Sequence, residues 1–143
     1  MTHNIHTLTS RAGLAGVRKA IRADLRSVRA DPALAFDCLV AVTEAGTNAL
    51  LHGVGSEDTE HPRVAWEIDA MQAIFRIQDF SSEQWSRIMH PSRDLPEGDG
   101  EARVGGYGLQ LMRELMDDVA IASGPMGTTV TLTKKLQAPV LRT

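Results

Sequence analysis

Apolar residues return at helical spacing over the first part of the chain. Leu14, Val17, Ile21, Leu25 and Val28 form one stripe, which predicts a helix with basic residues around it. Ser10 stands where an N-cap belongs, and His3–Thr9 before it predicts a short strand. Asp31-Pro32 ends this helix and opens a second, with Asp31 as cap and Pro32 in the first position. The second helix is expected to reach Leu51 or His52, where Gly53 and Gly55 stop it. The pattern then changes to alternation. Val64, Trp66 and Ile68 predict one strand, and Ala73–Asp79 predicts another.

From Phe80 to Val104 the periodicity is lost among prolines and charges of both signs. A connection of that length in a compact domain is usually functional, so a lid over about 80–104 is expected, with a short helix at Glu83–Met89. Gly105-Gly106-Tyr107-Gly108 then precedes a helix from Leu109 to about Met116, with Leu111, Met112 and Leu115 facing inward. Val119–Ala122, a Gly124–Gly127 turn and Thr128–Leu136 read as a hairpin. Val130 and Leu132 lie on one of its faces, Thr129, Thr131 and Thr133 on the other. The whole predicts one domain over 1–143, without repeats.

Composition narrows the class. A net charge of −3 argues against general nucleic-acid binding, which needs a positive surface. Cys38 is the one cysteine, so no intrachain disulfide can form, and a small buried hydrophobe is the expected role. The N-terminus lacks a basic start followed by an apolar run, and no apolar stretch approaches the ~20 residues that span a bilayer. A cytoplasmic protein without membrane association is the expectation. The charge is uneven, with Arg11, Arg18, Lys19, Arg22, Arg26 and Arg29 crowded on the first helix. Such a cluster is either a solvated face or a docking face for an acidic partner.

The second helix carries the first candidate chemistry. Leu39, Val42, Gly46, Ala49 and Leu50 share one face, and Glu44, Asn48 and His52 recur at i, i+4, i+8 on the other. Val40, Ala41, Ala45 and Leu51 flank that polar row, so it is no ordinary solvent face. A helix of this kind is expected to meet the core on one side and line a pocket on the other. An Asn oxygen is a hard neutral ligand suited to Mg²⁺, and a neighbouring Glu can take a proton from a hydroxyl. Simple pairing with neighbouring loops would use the same two residues.

The glycine segment is the second candidate. Free N–H groups at a helix start bind phosphate, and glycine allows close backbone approach. The segment is neither a Walker A loop nor a Rossmann fingerprint, and a tight turn would also account for it. Arg103 stands two residues before Gly105, within reach of a terminal phosphate or of solvent. Asp79, ending an apolar strand, can accept a hydrogen bond from a base amino group or cap the next turn. His3-x-x-His6 has no further ligand cluster, and Trp85 with Met89 suits a packed lid helix or a partner contact.

Taken in order, these pieces resemble the N, G1, G2 and G3 boxes of the GHKL (Bergerat) ATPases. They are Glu44-x-x-x-Asn48-x-x-x-His52-Gly53, Asp79, Arg103-x-Gly105-Gly106-x-Gly108-Leu109 and Gly127-Thr128-Thr129-Val130. Gly105–Val119 and the Gly127–Lys135 strand are similar to the single-domain anti-sigma factor serine/threonine kinases in particular. The resemblance implies an α+β two-layer sandwich, with a mixed, mostly antiparallel sheet and helices on one face. It also implies ATP and Mg²⁺ as ligands: Asn48 would hold the metal and Glu44 would be the general base. Asp79 would bind the adenine amino group, supported by Thr129. Gly105, Gly106 and Gly108, with Leu109 following, would cradle phosphates, and Arg103 would meet the γ-phosphate. His52 fits the box without an assigned role.

The implied partners are a sigma factor or similar regulator and a small anti-anti-sigma-type antagonist, phosphorylated on Ser or Thr. A homodimer belongs to the same expectation. The family's G1 box is usually Asp-x-Gly-x-Gly, whereas this chain reads Asp79-Phe80-Ser81-Ser82-Glu83. Losing both glycines adds bulk beside the base, which favours an alternative: a non-catalytic module that keeps the fold and sequesters a partner. An ATP-hydrolysing part of a larger machine is a third reading.

Overall fold

The computed structural model describes residues 2–52, 61–80, 100–125 and 127–137. Strand β1 spans Thr2–Thr7, and α1 spans Arg11–Ser27. The Ser10 hydroxyl accepts from the Gly13 N–H, so the predicted cap is made. Leu14, Val17, Ile21 and Leu25 are the buried stripe of α1. After it, Arg29 takes φ +56° and the Ala30 N–H closes on the Leu25 carbonyl, reversing the chain. The Asp31 carboxylate accepts from the Leu34 N–H, and α2 runs Pro32–His52 as the sequence predicts.

β2 (Arg63–Ile68), β3 (Gln72–Asp79), β4 (Asp118–Gly124) and β5 (Gly127–Lys135) complete the sheet. Its order is β1-β2-β3-β5-β4, and every described pairing is antiparallel. The helices cover one face, where Trp66, Phe75, Ile77, Val130 and Leu132 are buried. The fold is the expected α+β sandwich, although no parallel pair of the expected mixed sheet occurs among the described residues. Asp24 of α1 accepts from Trp66 Nε1 at 2.8 Å and from Asn4 Nδ2 at 2.9 Å, tying α1 to β2 and β1. This tie joins residues far apart in sequence, so no local pattern announces it.

Two expectations change here. By length and composition Pro32–Leu51 could cross a membrane, contrary to the expectation that no stretch approaches that length. In the fold it is the central helix, packed on β3 and β5 and flanked by α1 and the third helix, and Ala41, Val42, Ala45 and Ala49 are fully buried. Its small residues admit close neighbours on several sides, which explains an apolar composition without a lipid partner. The close packing shows at Gly46, where a Cβ would lie 2.6 Å from a Leu14 methyl carbon.

The third helix, α3, spans Gly100–Leu115 and so begins at Gly100 rather than Leu109. Among its described side chains Leu109 and Met112 are buried, with Leu111 and Leu115 half-buried, and Met116 just past its end is buried too. The expected lid therefore ends as helix over 100–104. Its stretch 81–99, with the expected 83–89 helix, Trp85 and Met89, lies outside the described residues.

Candidate functional site

Glu44 and Asn48 lie one turn apart on α2, facing α3. The point of contact is Gly108. A Cβ there would stand 3.1 Å from Asn48 Nδ2 and 3.3 Å from Glu44 Oε2, tighter than side chains ordinarily allow. Glycine at 108 therefore lets α3 close on the two polar side chains. Asn48 is 1% exposed, and neither Oδ1 nor Nδ2 has a hydrogen-bond partner among the described residues. Leaving a buried amide unsatisfied costs about 1–3 kcal/mol, so the position is held against stability.

That orphaned carboxamide is also a test of fit for a metal. Mg²⁺ takes few protein ligands and keeps waters and phosphates in its shell. A neutral oxygen buried beside a carboxylate, with no competing donor among the described residues, suits it. The described residues hold no group of three or more His, Cys, Asp or Glu, so a carboxylate-rich cage is not the arrangement there.

The glycine segment departs from its expected geometry. Gly105, Gly106 and Gly108 lie inside α3, so they are not at the free N-terminus that binds phosphate. Glu101, Ala102 and Arg103 are good helix formers, and they carry the helix nucleated at Leu109–Leu115 back towards Gly100. Glycine costs a helix interior about 1 kcal/mol relative to alanine, so this half of α3 is intrinsically weak. Arg103 belongs to the same first turns, and its side chain, like that of His52, lies outside those described.

At the far end of the sheet, Asp79 is completely buried and pairs in register with Thr128, itself 1% exposed. Thr129 pairs with Gln78 and faces the opposite, uncovered side. Thr129, expected to support Asp79, therefore lies on the opposite face, and Thr128 is the threonine in register with Asp79. A strand alternates faces at every residue, so a choice one position off points away from the site. Beside this pair runs Gly127, at φ +120°, where a Cβ would lie 2.1 Å from the Asp79 carbonyl oxygen and 2.9 Å from Phe80 Cα. Only glycine lets β5 start against the backbone of the altered G1 segment. Arg63 covers the Phe80 ring from 5.9 Å.

Away from these groups, Cys38 is fully buried, and desolvation pushes its thiol up to about 12. It is unreactive at neutral pH, as a buried hydrophobe should be. Lys134 reaches from β5 to the Leu115 carbonyl and, at 3.3 Å, to Asp37, a clamp on the end of α3.

The sequence profile of the histidine kinase-like ATPase domain matches residues 9–134, nearly the whole chain. The chain belongs to that family. It is 34% identical over 104 residues to the serine-protein kinase RsbW of Bacillus velezensis, covering 70% of this chain and 64% of that protein. It is 34% identical over 98 residues to the anti-sigma F factor of Bacillus subtilis, covering 66% of this chain and 65% of that relative. The chain thus spans slightly under two thirds of the length of these relatives. Two solved structures share the fold. A Mycobacterium tuberculosis protein with RsbU and RsbW domains superposes at TM-score 0.71, with 23% identity, over 97% of this chain and 34% of that one. A chain of the SiaB–SiaC complex of Pseudomonas aeruginosa superposes at 0.61, with 18% identity, over 94% of this chain and 89% of that one.

Proposed function

We propose that this chain is a cytoplasmic Mg-ATP-dependent protein serine/threonine kinase of the anti-sigma factor type. Its partners are a sigma factor or similar regulator and a small antagonist protein, which it phosphorylates. The observation that carries the reading is the buried, unsatisfied Asn48 amide beside Glu44 on one helix, in a family of ATPase domains. Mg-ATP supplies the phosphoryl group. Asn48 offers its oxygen to the magnesium, and Glu44 takes the proton that the acceptor hydroxyl loses. Asp79 and Thr128 offer an acceptor and a hydroxyl to the base, at the other end of the inner sheet face. Arg103 meets the terminal phosphate. The glycines of α3 serve by freeing their N–H groups, which requires the weak N-terminal half of that helix to open.

Glu44 can also be approached from outside. It lines a groove of roughly 230 Å³ between α1 and α2, together with Arg18, Arg22, Phe36, Leu39 and Val40. Phe36 is 65% exposed and lines the same groove as the two cations. An acidic partner segment with an apolar side chain fits this groove and leads a hydroxyl towards Glu44. The basic cluster of α1 then serves as a docking face.

Altered residues after Asp79 favour a second reading, the sequestering module that captures a partner without transfer. Melting with and without millimolar Mg-ATP tests nucleotide binding, which the kinase requires and the module can lack. A ligand that binds only the folded chain adds about 2.7 kcal/mol at a hundredfold excess over Kd. An unmoved melting temperature would remove the kinase reading and leave a module without nucleotide. Phosphate incorporation into an antagonist captured by the chain then separates kinase from module.

A further inference from the structure

The packing of α1 on α2 sets the order of the groups along the groove between them. The chain reverses at Arg29 and Ala30, and Leu14 of α1 packs against Gly46 of α2. The two helices therefore run antiparallel, and residues equally far from the reversal lie side by side. Arg22 thus stands towards Phe36, and Arg18 towards Thr43 and Glu44. Neither arginine is paired among the described residues. Along α2 the groove runs from an exposed aromatic ring to a carboxylate, with two cations on the facing helix. Periodicity within either helix does not show this order, because it depends on how the two pack.

We infer that the groove selects its substrate by spacing: an extended segment with an apolar residue about four positions from the acceptor Ser or Thr, and an acidic residue between them. The inference rests on the kinase reading above and deepens it. Phe36 and Glu44 lie two i, i+4 steps apart on α2, about 12 Å along its axis. An extended chain covers that span in about four residues, at roughly 3.3 Å each. Its side chains alternate, so the two ends of such a segment and its middle residue turn to the same side. The hydroxyl then meets Glu44, the apolar side chain meets Phe36, and the middle carboxylate meets the arginines. Guanidinium groups hold a carboxylate through paired hydrogen bonds, and a basic residue at the same place is repelled. A helix suits the groove less well. It is about 10–12 Å across, whereas the space between α1 and α2 is roughly 230 Å³.

The test uses the full chain and short labelled alanine-based peptides that differ only in order. In the first, Leu stands four positions before Ser with Asp midway. The second exchanges Leu and Asp, which keeps composition and charge, and the third reverses the first along the chain. Binding is read by fluorescence polarisation, and phosphorylation with Mg-ATP is read separately. The first or the third peptide is expected to bind at least about tenfold more tightly than the exchanged one. Phe36→Ala and Arg22→Glu should each abolish that advantage, and a peptide with Lys in place of Asp should recover binding to Arg22→Glu. Both side chains are exposed, so urea midpoints should stay at the wild-type value. Equal binding of spaced and exchanged peptides, binding that survives both substitutions, or binding of none of the three overturns the inference. Equal phosphorylation of the exchanged peptide overturns the spacing rule and leaves the kinase standing. A spaced peptide held in the groove and never phosphorylated overturns the kinase reading instead, and the spacing is then a rule of capture.

Discussion

Glu44→Gln is expected to slow phosphoryl transfer by about 10²–10⁴-fold while nucleotide affinity stays within about twofold. The amide keeps the length, shape and polarity of the side chain, so its place between the α1–α2 groove and Gly108 is preserved. What it loses is a basic oxygen for the acceptor's proton. Single-turnover transfer of labelled phosphate to the captured antagonist, beside calorimetric nucleotide affinity, separates the two effects. A Gln variant that transfers at the wild-type rate removes Glu44 from proton transfer. A wild-type chain that holds the antagonist and transfers nothing over hours assigns the fold to sequestration, with the Phe80-Ser81-Ser82-Glu83 replacement as its mark.

Several elements were legible because a local rule and the global fold agree at them. Ser10 caps α1 by its own hydroxyl, and Asp31-Pro32 opens α2 by two independent devices. The α1 stripe and the alternating strands reach the core as their periods require. The disagreements have physical causes. Leu39 and Leu50 were expected in the core, yet they are only half-buried, while Ala41 and Ala45 are fully buried. A helix packed between a sheet and two other helices puts its smallest residues at the closest contacts, which hydrophobicity alone does not rank.

The start of α3 was misplaced because glycine usually breaks helices, whereas here the flanking helix formers and the packing of Gly108 on α2 hold the segment helical. Thr129 was chosen against the chain's own alternation, which turns it outward and turns Thr128 inward with Val130 and Leu132. The groove beside Glu44 was half legible: the basic cluster stood out, but its apposition to Phe36 depends on how α1 and α2 pack.

Asn48→Leu should stabilise the empty protein and disable it in the same step. Leucine matches the branched shape of asparagine and carries no polar atoms. The substitution therefore removes two buried groups that find no partner among the described residues. Each such group costs about 1–3 kcal/mol, and the tight approach of Gly108 returns part of that gain as crowding. A net increase of about 1–2 kcal/mol is expected, read as a higher urea midpoint at unchanged slope. Most buried substitutions destabilise, so the sign is the informative outcome. The Mg²⁺-dependent part of nucleotide binding should fall by about 100-fold, because in the proposed reading the lost oxygen is a direct ligand. Stability gained where function is lost marks a residue kept for a ligand. A destabilised variant with unaltered Mg²⁺ dependence would mean that Asn48 is satisfied in the folded chain and holds no metal. The magnesium role would then have to move to another residue of the site.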